Sequence, residues 1–159
     1  MNELIQVRFV VNHQPVVANV PPDQKLMDYL RETLGLVSVK NGCSTGHCGT
    51  CTVIINGKAE RSCLVLMKRI NGCKVETIEN LTPADGLHPL QYSFISENAV
   101  QCGFCTPGML LASKALLDQN PHPTEEDVRY ALKDNICRCT GYASIIRAVQ
   151  NASHLIQQG

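Results

Sequence analysis

The stretch CSTGHCGTC, residues 43–51, carries three cysteines in the pattern C-x4-C-x2-C, and Cys63 follows at a distance. This spacing is typical of proteins that hold a 2Fe-2S cluster, in which four thiolates bind the irons. Glycines alternate with these cysteines, and glycine permits both a tight backbone approach and positive φ values. We therefore predict that Cys43, Cys48, Cys51 and Cys63 bind one 2Fe-2S cluster.

The alternative for this set is a structural zinc site, which usually has shorter paired spacings than C-x4-C-x2-C. His47 lies inside the same loop. With four cysteines available, we expect His47 to face solvent and not to bind metal.

A second set of cysteines forms two close pairs about thirty residues apart: Cys102, Cys105, Cys137 and Cys139. Cys105 directly precedes one predicted helix, and Cys139 shortly precedes another. Helix N-termini carry free amides and partial positive charge, which stabilise thiolates and an anionic cluster. We predict a second 2Fe-2S cluster at these four residues.

Other interpretations of the second set explain less of it. The single residue between Cys137 and Cys139 is awkward for tetrahedral zinc. A redox-active dithiol at Cys102 and Cys105 would leave the other pair unexplained. The ninth cysteine, Cys73, has no partner at either spacing, and we expect a plain, partly buried thiol.

The first half of the sequence predicts β-structure. Residues 5–11 and 15–20 form a hairpin with a turn at 12–14, and Asp23 caps a short helix that Gly35 ends. Residues 52–55 and 58–62 form a second hairpin around an Asn56-Gly57 turn. If that turn sets the register, Cys51 faces Ser62.

The second half predicts four helices, after a connection at residues 78–86. The first contains Leu87, Leu90 and Phe94, and the second has Thr106 as its cap. A capping box between Thr124 and Asp127 begins the third, and the apolar stripe of the fourth lies within residues 145–156. The pattern is α+β, with a β-rich half (1–78) before a helical half (79–159).

Composition excludes several classes of protein. The formal net charge is zero and no basic run occurs, so a nucleic-acid partner is not expected. No stretch has the length of uncharged apolar sequence that a membrane span needs, and the first ten residues lack the apolar core of a signal peptide. We expect a cytoplasmic protein, in which clustered cysteines indicate metal binding more than disulfides.

Two further segments resemble a known family. Residues 101–109 (QCGFCTPGM) and 135–142 (NICRCTGY) are similar to the signature of the iron-sulfur subunit of molybdenum hydroxylases, the xanthine dehydrogenase and aldehyde oxidoreductase family. The resemblance covers nearly the whole chain. One departure is Ser44-Thr45, where many relatives have Gly-Glu after the first loop cysteine.

The resemblance implies a plant-ferredoxin-like β-grasp domain followed by a four-helix bundle, each with a 2Fe-2S cluster. It implies that Gln101 and Cys139 approach a molybdenum-pterin cofactor on a separate large subunit, within a hetero-oligomer. Electrons would pass to the bundle cluster, then to the ferredoxin-like cluster, and then to an FAD subunit or an external acceptor. The substrate, a purine, another N-heterocycle or an aldehyde, would bind elsewhere, so this chain would hold no catalytic residue.

Two other functions stay open at the level of the sequence. The chain could be a free-standing two-cluster ferredoxin that serves several partners, which would need no pterin-facing glutamine. It could also be a metal-stabilised binding or sensor module without a catalytic partner.

Overall fold

The structure, a computed structural model, describes residues 3–158. Met1, Asn2 and Gly159, which the predicted halves include, lie outside the described residues. Five strands form one mixed sheet in the order β2-β1-β5-β3-β4, in which β1 and β5 are parallel and the other neighbours antiparallel. The strands are β1 (Ile5–Val11), β2 (Gln14–Val20), β3 (Thr52–Ile55), β4 (Lys58–Arg61) and β5 (Lys74–Glu76).

The first hairpin has a tighter turn than predicted. Val11 pairs with Gln14, so β2 begins one residue before the predicted position and only Asn12 and His13 lie in the turn. Both have positive φ, 49° and 66°. A two-residue turn of this kind matches the right-handed twist of the flanking strands.

The second hairpin has the predicted register, with Thr52 opposite Arg61. The backbone N–H of Ser62 donates to the carbonyl of Cys51 over 3.2 Å, which confirms that these two residues face each other. The return strand ends at Arg61, one residue earlier than predicted, because Ser62–Leu64 turns into a 3-10 helix. That turn directs Cys63 back toward Cys51.

The helix of the first half departs from the prediction at its start. Helix α1 (Leu26–Asp28) continues as a π-helical turn (Tyr29–Thr33), and Lys25, not Asp23, precedes it without a side-chain cap. The N–H of Leu26 donates instead to the carbonyl of Val65 over 2.8 Å, so a distant backbone segment satisfies the helix end. Gly35 follows the helical segment with a φ of 69°, as expected of a residue that ends a helix.

Four helices make up the second half: α2 (Pro89–Ser96), α3 (Thr106–Gln119), α4 (Glu125–Ala131) and α5 (Ala143–Gln158). The capping box of Thr124 and Asp127 is confirmed. Leu87 lies outside α2, because His88 caps that helix in a reciprocal arrangement with Gln91. Thr106 is the first residue of α3 and not its cap, which is Cys105.

This architecture confirms the predicted α+β class, with a ferredoxin-like sheet before a helical bundle. One cluster of buried apolar residues runs from Val7 to Val75 and a second from Leu81 to Ala152. These separate cores support our proposal of two domains, 1–78 and 79–159. Ile54 on β3 packs with Leu111 and Ala115 on α3, which joins the two. Within residues 3–158, no helix combines the length and apolar character needed to cross a membrane.

Candidate iron-sulfur sites

The second hairpin and the loop before it bring the first cysteine set together. Cys51 and Cys63 are each only 2 % exposed. Burial, followed by the neighbouring Cys51 thiol, raises the pKa of Cys63 to about 11. Iron binding would replace that proton, since a coordinating thiol is deprotonated.

The sulfur of Cys43 accepts three backbone hydrogen bonds. The N–H groups of Thr45, His47 and Cys48 lie 3.5, 3.4 and 3.4 Å from Cys43 Sγ. The Thr45 hydroxyl, followed by these amides, lowers the pKa of Cys43 to about 5. The loop therefore favours a thiolate at this position before any iron is bound.

The unusual Ser44-Thr45 pair fits this loop through side-chain contacts. Ser44 has a φ of 57°, a conformation in which glycine would be unstrained, and its hydroxyl lies 2.7 Å from Asn41 Oδ1. The Lys25 ammonium donates to the Ser44 carbonyl over 3.1 Å. The departure from the family pattern thus leaves the amide contacts to Cys43 in place.

The loop wraps so tightly around Cys48 that it has no room for a side chain at Gly42. A Cβ atom there would lie 2.9 Å from Cys48 Sγ and 2.9 Å from the hydroxyl of Thr50. At Gly46 a Cβ would lie 2.6 Å from Leu64. Close wrapping of a cysteine-bearing loop is what a cluster with four thiolate ligands requires.

The second cysteine set lies where the loops before α3 and α5 meet. Cys102 Sγ and Cys139 Sγ are 3.6 Å apart. Burial, followed by the neighbouring thiols of Cys137 and Cys102, raises the pKa of Cys105 to about 12. The structure therefore brings all four residues of the second set to one place.

Thr140 supports the sulfur of Cys137 with two hydrogen bonds. Its hydroxyl lies 3.1 Å and its backbone N–H 3.4 Å from Cys137 Sγ. Burial would raise the pKa of Cys137, but these hydrogen bonds outweigh it and the pKa is lowered. Tyr142 holds the same turn, because its hydroxyl accepts from the Cys137 N–H over 2.9 Å.

The donor chemistry at both places fits 2Fe-2S clusters, although the ligand assignment stays a prediction. Each place offers four cysteines, with N–H or hydroxyl groups directed at Cys43 and Cys137. Among residues 3–158, no three histidine, cysteine or acidic side chains converge on the position of a single metal ion. The remaining cysteine, Cys73, is partly buried beside the Arg69 carbonyl, as expected, and His47 is exposed.

Gln101, expected beside a pterin, is exposed and lies next to the second cysteine set. Its side-chain amide donates to the Cys139 carbonyl over 3.2 Å. Val100, Phe104 and Ile136, close in sequence to these cysteines, are 40 %, 45 % and 52 % exposed. The predicted proximity to a partner's cofactor stays a prediction, but the second set lies at an open surface with apolar side chains nearby.

The sequence argument missed the contacts that join the two sets. The N–H of Ile136 donates to the carbonyl of Cys48 over 2.9 Å, and Arg61 lies 3.4 Å from Asp134. Asn135 is 5 % exposed and reaches the loop of the first set. In the sequence, only its place at the start of the segment 135–142 drew attention to Asn135. Its contacts could not be predicted from there, because its hydrogen-bond partners are more than eighty residues away.

Comparisons with known proteins agree with this geometry. A family profile described as a 2Fe-2S iron-sulfur cluster binding domain matches residues 9–77, and another, described as a 2Fe-2S binding domain, matches residues 77–150. The chain is 48 % identical to the nicotinate dehydrogenase small FeS subunit of Eubacterium barkeri over 82 % of this chain and 83 % of that one. It is 42 % identical to the small subunit of nicotine 6-hydroxylase from Paenarthrobacter nicotinovorans, over 95 % and 91 % of the two chains.

Solved structures are similar along nearly the whole chain. A chain of quinoline 2-oxidoreductase from Pseudomonas putida 86 superposes with a TM-score of 0.92 at 42 % identity, covering 99 % of this chain and 98 % of that one. Aldehyde oxidoreductase from Desulfovibrio gigas superposes with a TM-score of 0.93 at 42 % identity. That match covers 97 % of this chain but only 17 % of the relative, which is a much longer polypeptide.

Proposed function

The chain belongs to the iron-sulfur subunits of the molybdenum hydroxylase family, and we propose that it carries electrons from a partner that holds the molybdenum cofactor to an external acceptor. Cys43, Cys48, Cys51 and Cys63 would hold one 2Fe-2S cluster. The other set, Cys102, Cys105, Cys137 and Cys139, would hold the second. Each cluster supplies a one-electron redox centre when bound.

One hydrogen bond carries this proposal, the one from the Ile136 N–H to the Cys48 carbonyl. Ile136 is bonded directly to Cys137, and Cys48 belongs to the other set. A residue adjacent to one proposed ligand therefore contacts another proposed ligand across the junction of the sheet and the bundle. Such a short connection suits a chain whose task is to pass electrons from one centre to the other.

The exposed end of the second set supports a proposal for the side on which electrons enter. Cys102 and Cys139 are exposed, whereas Cys51 and Cys63 of the first set are buried. We propose that Gln101 and Cys139 face the pterin of a large molybdenum subunit there. The partners would also include an FAD subunit or a soluble acceptor, in a cytoplasmic complex, and the substrate would bind on the large subunit.

The names of related proteins refer to several kinds of substrate. They include nicotinate dehydrogenase, nicotine 6-hydroxylase and aldehyde oxidoreductase. Because the substrate site would be on the partner, we propose for this chain only the shared reaction class, the oxidation of an N-heterocycle or an aldehyde.

Metal analysis of single-cysteine variants tests the proposal. We expect about four irons and four acid-labile sulfides per wild-type chain, and about half of each in Cys48→Ser and in Cys137→Ser. Cys73→Ser is the matched control and should keep all the iron, because Cys73 lies outside both sets. Stoichiometric zinc without visible absorption would overturn the assignment of iron-sulfur clusters.

Purification of the native protein with its partners separates the proposed complex from a free-standing ferredoxin. We expect a large molybdenum-containing subunit to copurify. A monodisperse chain that binds no such subunit would favour the ferredoxin or the sensor module instead.

A further inference from the structure

Asn135 joins the two cysteine sets through its buried side-chain amide. Its Nδ2 donates to the Gly49 carbonyl over 3.0 Å and to the Thr52 hydroxyl over 3.2 Å. The Thr52 hydroxyl donates in turn to the same Gly49 carbonyl over 2.7 Å. Both N–H groups of the amide are therefore used, and the three residues form a closed hydrogen-bonded triangle.

The backbone segments at this place touch without side chains between them. A Cβ atom on Gly49 would lie 2.2 Å from the Asp134 carbonyl oxygen and 2.8 Å from Asn135 Cα. A Cβ atom on Gly108 would lie 2.5 Å from the Gly49 carbonyl oxygen. A real Cβ atom could not occupy either position, so the backbones approach each other more closely than any residue other than glycine would allow. The segments therefore have little freedom to shift relative to one another.

Each member of this junction is adjacent to proposed cluster ligands. Gly49 lies between Cys48 and Cys51, and Asn135 lies two residues before Cys137. A displacement of Asn135 from Gly49 would therefore change the separation of the two sets. Because electron transfer between fixed centres falls steeply with distance, a rigid junction here has a functional consequence.

We propose that Asn135 is a positioning residue that sets the distance and orientation between the two cysteine sets, and so the coupling between the clusters they hold. This inference builds on the proposed function, since it requires that both sets carry clusters. A residue that only stabilised the fold would not determine the distance between the two cysteine sets, and this is the role that we assign to Asn135. The amide acts through its two N–H donors, because both acceptors are oxygen atoms of the first half.

The variant Asn135→Asp keeps the shape of the side chain but removes both donors. Its carboxylate would meet the Gly49 carbonyl oxygen, which repels it. Thr52→Val is a milder change that removes one of the two acceptors and keeps a β-branched side chain. Asn19→Asp is the matched control, because Asn19 is exposed on β2, at the opposite edge of the sheet from β4.

The measurement is the spin–spin splitting of the reduced clusters in low-temperature electron paramagnetic resonance of the purified complex, together with iron analysis. We expect Asn135→Asp to keep about four irons per chain and to lose at least half of the wild-type splitting. Thr52→Val should lose a smaller part, and Asn19→Asp none. If Asn135→Asp loses iron, Thr52→Val decides the question.

If Asn135→Asp keeps its iron and shows the wild-type splitting, the role of Asn135 is overturned. If Asn135→Asp loses its iron, wild-type splitting in Thr52→Val overturns that role instead. Both results leave the proposed function intact. A wild-type complex without iron overturns the proposed function first. Iron content and splitting thus separate the two failures.

Discussion

The side-chain amide of Gln101 donates a hydrogen bond to the backbone carbonyl of Cys139, over 3.2 Å and across 38 residues of sequence. Both residues are exposed, and each lies in a loop that precedes a helix of the bundle. Cys102 follows Gln101 in the chain, and Cys139 supplies the acceptor carbonyl. The sulfurs of these two cysteines lie 3.6 Å apart. The bond therefore fixes the outer end of the second cysteine set, where we propose that electrons enter.

Replacing Gln101 by glutamate should slow electron entry without loss of iron. A carboxylate cannot donate to the Cys139 carbonyl, so the two loops should separate at their exposed end. We expect single-turnover reduction of the second cluster by substrate to fall about tenfold, which corresponds to about 1.4 kcal/mol of activation free energy. Stopped-flow absorbance in the assembled complex measures this rate.

The control for that experiment is Gln119→Glu. Gln119 Nε2 donates to the Gly57 carbonyl over the same 3.2 Å, at the turn of the second hairpin and thus at the end away from Cys51 and Cys63. Its replacement should leave the rate unchanged. An equal fall in both variants would mean that the effect at Gln101 is not local.

Thr140 should raise the reduction potential of the second cluster. Its hydroxyl lies 3.1 Å from Cys137 Sγ, and a donor to a ligand sulfur stabilises the more negative reduced state. We expect Thr140→Val to lower the midpoint potential by roughly 40 mV, corresponding to about 1 kcal/mol for one electron. A redox titration followed by electron paramagnetic resonance checks it.

Thr140→Ser keeps the hydroxyl and should keep the wild-type potential. A potential that rises in Thr140→Val, or that is lowered equally in both variants, would show that the hydroxyl does not act on the sulfur.

Local sequence signals predicted the parts of the fold that depend on neighbouring residues. The Asn56-Gly57 turn set the register that places Cys51 opposite Ser62, and Thr124 with Asp127 began α4 as predicted. In these places the decisive hydrogen bonds join residues that are close in the chain. A pattern of residue types is then sufficient to predict the geometry.

Contacts between distant segments could not be predicted in this way. The first helix begins at Leu26 because its N–H bonds to Val65, and Asp23 therefore has no capping role. Asn135 reaches Gly49 only because the sheet and the bundle pack together. These contacts follow from tertiary packing, which no periodicity or spacing in the sequence records.

His88 should make the stability of the bundle depend on pH. Its Nδ1 accepts from the Leu90 N–H over 3.1 Å, which requires the neutral ring. Burial, then the positive charge of Lys114, lowers the pKa of His88, while Asp118 opposes the shift. The unfolded chain therefore binds more protons, and the contribution of this cap is present above about pH 6.5 and is lost as the pH falls.

The variant His88→Asn should remove this pH dependence, because asparagine caps helices and does not titrate. We expect the unfolding midpoint of the iron-loaded wild type to fall relative to that of the variant as the pH is lowered below about 6.5. His88→Ala should cost about 1 kcal/mol at neutral pH, the usual contribution of a cap. Parallel midpoints for wild type and His88→Asn at every pH would contradict the proposed titration.

The order of the two centres can be tested by removing one ligand from each. In the Cys48→Ser complex we expect substrate still to reduce the second cluster in a single turnover, because Cys102, Cys105, Cys137 and Cys139 are intact. Steady-state transfer to the external acceptor should collapse. Absorbance and electron paramagnetic resonance of rapidly frozen samples distinguish these two results.

The Cys137→Ser complex should show the opposite pattern, because its defect lies at the point where electrons enter the chain. Substrate should leave the first cluster oxidised, although Cys43, Cys48, Cys51 and Cys63 still bind it. Dithionite, which needs no partner subunit, should reduce that cluster normally and so serves as the control. If substrate reduced the first cluster at the wild-type rate in a complex shown to lack the second, electrons would not pass from Cys137 through Ile136 toward Cys48.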